Sequence, residues 1–573
     1  LQNFVLCRAF CFDYMKKLYF IFLCSVLSFC VSAQSAYAPL NQDYYHLLER
    51  YEIRSGALFQ GFHSHIKPYT RQSISQFLKN FEQDSTQTLS KADEFNLAYL
   101  KQDNWEFFKD DTLYRKPWWR NLYRQPSAFL HHQDQDFHYQ INPVIHWQVG
   151  KDNNTSQLAF LNTRGIELRG TINKKVAFYS FFTDNQASFP KYVQSFIKKF
   201  DAIPAEGYYK DGDRAEPTNV DFIHARGYLA FKALKNVEVQ FGHDRNSIGN
   251  GYRSMILSDF AANYLFLKLN TNVWKLNYQN LFAQMTAEVL NADGLRPKKY
   301  MAKHHLSVNV SKNFNLGVFE TIIFGQRDTL TNNTFDLNYL NPIIFYRSVE
   351  QQLGSPDNVL LGTDFKWNFA KRFSVYGQFL LDEFLLNEIR QNRGWWANKF
   401  AGQLGVKYID AFGIKNLDLQ AEANFARPYT YTQDNNFKSY THYQQPLAHP
   451  LGANFYEFIG ILRYQPLPRL SFVGKVFYMN YGLDKDGLNW GGNLLLSNKN
   501  IVQTYGNRIG QGLNTKTLFL DATLQYQFWH NCVIELKQVV RQMKNDDDTM
   551  PFKNTTFTSL GLRINIAPRL HEF

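Results

Sequence analysis

One stretch of polar–apolar alternation, long enough to cross a membrane, constrains this chain more than anything else in it. Between Thr517 and Trp529 the even positions are Leu518, Leu520, Ala522, Leu524, Tyr526 and Phe528, and the odd ones include Asp521, Thr523, Gln525 and Gln527. A period of two is a β-strand with one apolar and one polar face. Strands of soluble sandwiches usually run about 5–6 residues. Here the alternation lasts about eleven, the length of a tilted strand spanning hydrocarbon. The apolar face ends in aromatics, as an interfacial girdle does.

The same period returns throughout the chain from Phe137 onward. Candidate strands fall at 137–149, 156–170, 174–184, 222–234, 236–246, 261–271, 273–286, 301–312, 314–326, 359–370, 373–384, 399–411, 416–427, 455–465, 470–481, 516–528, 531–544 and 554–567. That is about eighteen, an even number as in bacterial single-chain barrels. In one of them Leu417, Leu419, Ala421, Ala423 and Phe425 oppose Asp418, Gln420, Glu422 and Asn424. Arg164 and Glu320 break the pattern by falling on the lipid face, which points to a bulge or to misplaced boundaries.

Connections carry the stronger argument. After the first hairpin they alternate short and long. The short ones are Asn173-Lys174, Leu234-Lys235, Thr271-Asn272, Lys312-Asn313, Lys371-Arg372, Gly413-Ile414-Lys415, Gln465 to Pro468 and Trp529-His530; the long ones lie near 185–221, 247–260, 287–300, 327–358, 385–398, 428–454 and 482–515. Outer-membrane barrels have short periplasmic turns and long outer loops. A propeller or a string of sandwiches lacks that binary rhythm, and no fixed-period repeat points to a solenoid.

The residues before the barrel read differently. Met15-Lys16-Lys17, an apolar run from Leu18 to Val31 and the small-residue motif ending at Ala33 predict a secretory signal peptide, with Gln34 as mature start and 1–14 as an over-extended gene start. Cys30 stands where a lipoprotein box would need a small residue before it, and Phe29 is bulky, so an ordinary signal peptide is expected. Residues 41–110 read as helices. Asn41 caps a first one that ends at Gly56; a second after Pro68 carries Ile74, Phe77, Leu78 and Phe81; Ser90 with Asp93 opens a third running to about Phe108. A Pro117-Trp118-Trp119 segment joins this bundle to the barrel. The expected domains are therefore 1–33 (signal), 34–136 (periplasmic helical segment) and 137–573 (outer-membrane barrel).

Composition agrees with this plan. A mean hydropathy of −0.40 suits a barrel, half of whose strand residues face water. Four of five cysteines lie in the signal segment, leaving Cys532 without a partner for a disulfide or a cysteine metal cluster. Net charge is +12; removing residues 1–33 takes away Arg8, Lys16, Lys17 and Asp13, a net +2, and leaves +10. An exported basic protein meets acidic glycans or lipopolysaccharide, not nucleic acid, unless those charges only solvate loops and lumen.

Residues 241–269 carry a resemblance. A strand end, a G-x-G turn at Gly249 and Gly251, Ser254 to Asp259 and a new strand resemble the Wzi-like capsule-assembly family, with Ile248 where the family often has an aromatic. Tyr45 to Gly56 with Lys67-Pro68-Tyr69, and Asn341-Pro342 through Phe345 with Asp357-Asn358 and Gly362 to Phe365, are similar to further parts of it. The resemblance implies an eighteen-stranded barrel of the Gram-negative cell surface that holds capsular polysaccharide as a lectin. The aromatic-rich sequence resembles most a branch of that family associated with gliding motility, which implies other gliding or surface proteins as partners.

Sugar binding needs aromatic faces and nearby hydrogen-bonding groups. Loop residues of those types are Trp395, Trp396, Tyr429, Tyr431, Tyr440 and Tyr443, with Arg390, Arg393 and Arg427 for acidic groups, and also Tyr208, Tyr209 and Trp490. Girdle or loop packing is the competing account of each. An enzyme reading rests on His243 and Ser247, which share a strand face about 13 Å apart. His63-x-His65, His131-His132 and His304-His305 lack carboxylate or cysteine companions at metal spacing, so no metal, cofactor or catalytic residue is expected. The expectation is a non-enzymatic barrel holding acidic or neutral surface polysaccharide, with a porin-like channel and a lipase-type barrel as rivals.

Overall fold

The computed structural model describes residues 34–573 except 86, 109–121, 211–217, 289–293, 295, 326–334, 336, 345–356 and 548–552. Residues 1–33, where a signal peptide is expected, Pro117-Trp118-Trp119 and Phe345 lie outside the described residues.

The alternating segments close into one antiparallel barrel of eighteen strands: β1 Phe137–Asp152, β2 Leu158–Ile172, β3 Val176–Ser188, β4 Val220–Leu234, β5 Val237–Asp244, β6 Tyr264–Val273, β7 Leu276–Thr286, β8 Lys298–Asn309, β9 Phe314–Phe324, β10 Asn358–Phe369, β11 Phe373–Glu383, β12 Lys399–Tyr408, β13 Leu417–Ala426, β14 Phe455–Leu467, β15 Leu470–Leu483, β16 Leu513–Trp529, β17 Cys532–Asn545 and β18 Asn554–Ile564. Each strand pairs with its sequence neighbours, and β18 closes on β1. On β16, Leu520, Leu524, Tyr526 and Phe528 face out while Thr517, Phe519 and Asp521 are buried within. All eighteen predicted segments are strands, with ends moved by a few residues. Some turns shift: Gln465 to Leu467 belong to β14, which turns at Pro468-Arg469, and Thr271 and Asn272 belong to the β6–β7 ladder. The reversal falls instead at Trp274-Lys275, where an exposed Trp274 takes a left-handed φ of 55°.

Neither pattern-breaking charge needs a bulge. Arg164 and Asp184 are cross-strand partners in an unshifted ladder and form an outward ion pair of 3.2 Å. Eight residues above Ile172, at about 3.3 Å per residue and a tilt of about 40°, the pair stands roughly 20 Å from the turns, toward the outer interface. Glu320 also faces outward, in register with His304 and Asn280, yet it is fully buried. Part of the long loop folds down over this wall: Tyr339 packs on Phe324 at 4.2 Å, and the Tyr278 hydroxyl donates to the Pro342 carbonyl.

Among the described residues three helices precede the barrel: α1 Gln42–Ser55, α2 Arg71–Gln83 and α3 Lys91–Asp103, followed by a 3₁₀ turn Trp105–Phe107. Asn41 caps α1 by accepting from the Asp43 amide at 3.0 Å, and Ser90 with Asp93 forms a capping box on α3. Ile74, Phe77, Leu78 and Phe81 are buried against Tyr51, Leu97 and Leu100. The bundle sits at the short-turn end: the Leu58 amide donates to Lys312 (2.6 Å), Asn96 to Gln465 (2.7 Å) and Tyr99 to Asn531 (2.6 Å). Among the described residues no helix is long and apolar enough to cross a membrane.

Glu106 supplies a pH dependence for this docking. Burial pushes its carboxyl up to about 7, with Asp103 adding to the shift and Arg71 opposing it. The folded state therefore holds a proton that the unfolded chain has released, and stability falls as pH rises from about 4.5 to about 7. Glu106→Gln is expected to abolish that fall and to exceed wild type at pH 8 by up to about 3 kcal/mol. Thermal midpoints of both proteins across pH check this; parallel profiles would contradict it.

From the long-loop end, other segments fill the lumen. The 247–260 loop descends until Ser247–Ile248 pairs with Ile66–Lys67 of the helical segment. Gly249 makes this descent feasible: its φ is +141°, and a Cβ there would lie 2.5 Å from Gln378 Nε2. Helix α4, Lys191–Phe200, packs Phe196 on Phe573 at 4.5 Å. Glu572 meets Lys475 at 2.6 Å and accepts from Tyr252 at 2.6 Å. Phe573 thus lies in the lumen and not on the last strand.

With Lys366–Glu52 (2.5 Å) and Lys407–Glu49 bridging plug to wall, and Lys67–Glu49 (2.8 Å) inside the plug beside them, the lumen is crossed by ion pairs. Planar-bilayer recordings are expected to show conductance far below that of an open barrel of this size. A steady open-pore current would contradict the filled lumen.

Candidate functional site

The long-loop face presents the groups that the plugged interior cannot. Residues 384–398 and 484–512 are laced together there: the Trp396 amide donates to Thr504 (2.9 Å), Gly506 to Arg393 (2.8 Å) and Asn507 to Gly394 (2.9 Å). A short helix α5, Leu386–Gln391, leads into this lacing. Arg393 is exposed, bonds Glu388 at 2.7 Å and covers the Tyr505 ring at 4.5 Å. Arg390 is exposed beside it, and Trp395 and Trp396 are half-buried, with ring centroids 6.4 Å apart. Arg427 reaches beneath and donates to Asn398 (2.7 Å) and Trp395 (3.3 Å) carbonyls. The result is a backbone-fixed ridge of guanidinium groups and aromatic faces.

A second grouping lies on the same face. Tyr208 meets Tyr443 edge-on at 4.9 Å, Arg296 covers Tyr208 at 5.2 Å, and Tyr443 is half-buried. Between α4 and residues 441–453 and 481–495 opens a cleft of about 220 Å³ lined by Lys199, Phe200, Tyr481 and Asp484. Sequence reading missed α4 inside the 185–221 loop. Its signal is the spacing of Tyr192, Val193, Phe196 and Ile197, one buried helical face.

Other predicted aromatics sit elsewhere. Tyr429, Tyr431 and Tyr440 are fully buried. Their hydroxyls donate to the carbonyls of Asn489 (2.8 Å), Met255 (2.7 Å) and Ile256 (2.7 Å), so Tyr431 and Tyr440 hold the inward loop in place. In this arrangement they offer a ligand nothing. Tyr209 and Trp490 are half-buried in loop packing. His243 lies on the exposed outer face, whereas Ser247 pairs with Lys67 inside the lumen, so strand geometry keeps this base and hydroxyl apart. The histidines differ from the sequence reading: His132 Nε2 lies 3.0 Å from Asp134 at the surface, and folding brings Asp364 against His65 and His305, a carboxylate companion that chain spacing conceals.

A family model described as capsule assembly protein Wzi matches residues 154–546. The chain belongs to the Wzi capsule-assembly family. Both the 241–269 motif and the strand beginning at Asn358 fall within the matched span. Among solved structures, the Escherichia coli Wzi barrel is similar, at 15% identity over 93% of this chain and 100% of its own, with a TM-score of 0.58. That protein is described as an outer-membrane protein involved in group 1 capsule assembly and a carbohydrate-binding β-barrel. OprD of Pseudomonas aeruginosa matches at 10% identity over 74% of this chain and 94% of its own, TM-score 0.40. OccAB4 of Acinetobacter baumannii matches at 8% over 76% and 98%, TM-score 0.39. A search of curated proteins returns no match. In this Wzi-family chain the eighteen strands, the plug and the laced loops form one closed, filled barrel.

Proposed function

We propose that this protein is a non-enzymatic outer-membrane barrel whose long-loop face holds capsular or other surface polysaccharide on the cell. The observation that carries the reading is the ridge of Arg390, Arg393, Trp395, Trp396 and Tyr505, set above a lumen closed by ion pairs. Guanidinium groups take carboxylates in paired hydrogen bonds, and aromatic faces take the apolar edges of sugar rings. Tyr443 with Tyr208 and Arg296 extends the same chemistry across the face. Family membership and the carbohydrate-binding description of the similar barrel support it.

In this reading residues 1–33 are cleaved as a signal peptide, 34–136 lie on the periplasmic side, and 137–573 are surrounded by outer-membrane lipid and lipopolysaccharide. A role in gliding or adhesion uses the same grip on polysaccharide, exerted with other surface proteins during cell spreading. Deleting the gene and scoring polysaccharide retention and spreading separately tests both. Loss of retention supports the capsule role, and loss of spreading alone supports motility. Wild-type retention with wild-type spreading would overturn the proposal.

A further inference from the structure

We propose that His65, His305 and Asp364 form a structural site for a divalent transition-metal ion of the zinc class, which staples the helical plug to the barrel wall. One ligand atom from each residue lies within 4.8 Å of the others, and all three side chains are buried. His65 comes from the loop between α1 and α2, His305 from β8 and Asp364 from β10. The site therefore joins two separately folded parts of the chain.

Three observations converge on it. First, polar atoms sealed from water stand without hydrogen-bond partners: both ring nitrogens of His65, Nδ1 of His305 and Oδ1 of Asp364. Each such atom costs about 1–3 kcal/mol, and native interiors rarely concentrate several in one place. A cation takes one donor atom from each of the three side chains that carry them. Second, the wall is shaped for the cluster. β9 runs between β8 and β10, and there Gly317 pairs with Asp364. A Cβ on Gly317 would lie 2.5 Å from Asp364 Oδ2 and 2.9 Å from His305 Nε2, so the missing side chain is the space through which the imidazole and the carboxylate meet. Third, the backbone at His65 is fixed, because its carbonyl accepts from the Gly249 amide at 2.7 Å.

The donors select the metal class. Two imidazoles and one carboxylate suit zinc and its first-row neighbours, whereas calcium and magnesium prefer all-oxygen sets. His305 Nε2 lies 2.6 Å from Asp364 Oδ2, and His65 Nδ1 lies 3.9 Å from Asp364 Oδ1. Ligand bonds of about 2.0–2.2 Å in a tetrahedron set donors roughly 3.4 Å apart. Entry of the ion then opens the first contact by under about 1 Å. His63 is the nearest further donor: its ring centroid is 6.0 Å from that of His65, and its Nδ1 contacts Ser307 Oγ at 2.6 Å. Lys366 flanks the cluster already paired with Glu52, so that neighbour adds no uncompensated charge.

The test uses purified full-length protein in detergent, stripped with chelator, loaded with Zn²⁺ alone, desalted and assayed by elemental analysis. One zinc per chain is expected, with chymotrypsin cleavage of the 56–70 segment, at residues such as Phe59 and Phe62, slowed when zinc is bound. His65→Ala and Asp364→Asn should each weaken binding at least about tenfold, while His132→Ala, at an exposed histidine elsewhere, leaves it unchanged. Heat-modifiable gel mobility confirms that each variant retains its barrel. Wild-type protein without zinc after loading overturns the proposal, and so does zinc retained equally by both ligand variants. Because the wild-type stoichiometry is decisive by itself, a variant that fails to fold leaves the test intact. Glycan binding plays no part in the readout.

Discussion

Arg50→Met is expected to undock α1 from the barrel and to destabilise the protein by about 3–5 kcal/mol, the cost of leaving buried carboxylates unpaired. Arg50 is the residue through which α1 grips the short-turn end. Its Nη2 donates to Asp410 at 2.5 Å and Asn416 at 3.1 Å, its Nη1 bonds Asp418, and its Nε faces Asp93 at 3.5 Å. Methionine preserves the aliphatic volume and removes every donor. Asp418 keeps only His46 at 3.0 Å and the Asp410 amide at 3.1 Å. Arg50→Lys restores the charge without the planar fork, so an intermediate loss is expected. Thermal midpoints and the rate of trypsin cleavage between α1 and α3 measure both effects. Wild-type values in the methionine variant would show that the plug is held by other contacts.

Leu520→Arg is expected to cost about 2–4 kcal/mol, the depth-dependent price of a cation on the lipid face near the bilayer midplane. Leu520 stands near the middle of β16, faces outward, and is flanked across the ladders by Val476 and Val540. Phe528→Arg, also outward but beside the short turn that ends β16, should cost about 0–1 kcal/mol for the charge. Folding into lipid vesicles, followed by gel mobility against urea, compares the two. Equal costs would mean that these positions do not sit at different depths in hydrocarbon.

The barrel wall is readable in the sequence because its physics is one-dimensional. Each outward residue meets lipid wherever its neighbours lie, so alternation such as Leu417 to Phe425 survives every tertiary detail. Loop lengths likewise report the side of the membrane. The interior is different, because what fills it arrives from distant parts of the chain. Nothing local marks Ile248 as destined to pair with Ile66, or Glu572 as the partner of Lys475. Which candidate aromatics reach the surface is hidden for the same reason. Tyr431, whose hydroxyl is buried on Met255, and Tyr505, exposed beneath Arg393, are equivalent in composition and loop context. Only the descent of the 247–260 loop separates them. His65, His305 and Asp364 show the limit most plainly, since 240 and 59 positions separate members of one cluster.

Equilibrium binding of the purified, detergent-solubilised protein to surface polysaccharide isolated from its own host tests the central claim most directly. Wild-type protein should bind saturably, and Arg390→Ala/Arg393→Ala, which leaves the lumen untouched, should bind at least about tenfold more weakly, as loss of one or two charge-assisted hydrogen bonds implies. Saturable binding that the double variant retains in full would move the site off the ridge, and no binding by a folded wild-type barrel would contradict the account.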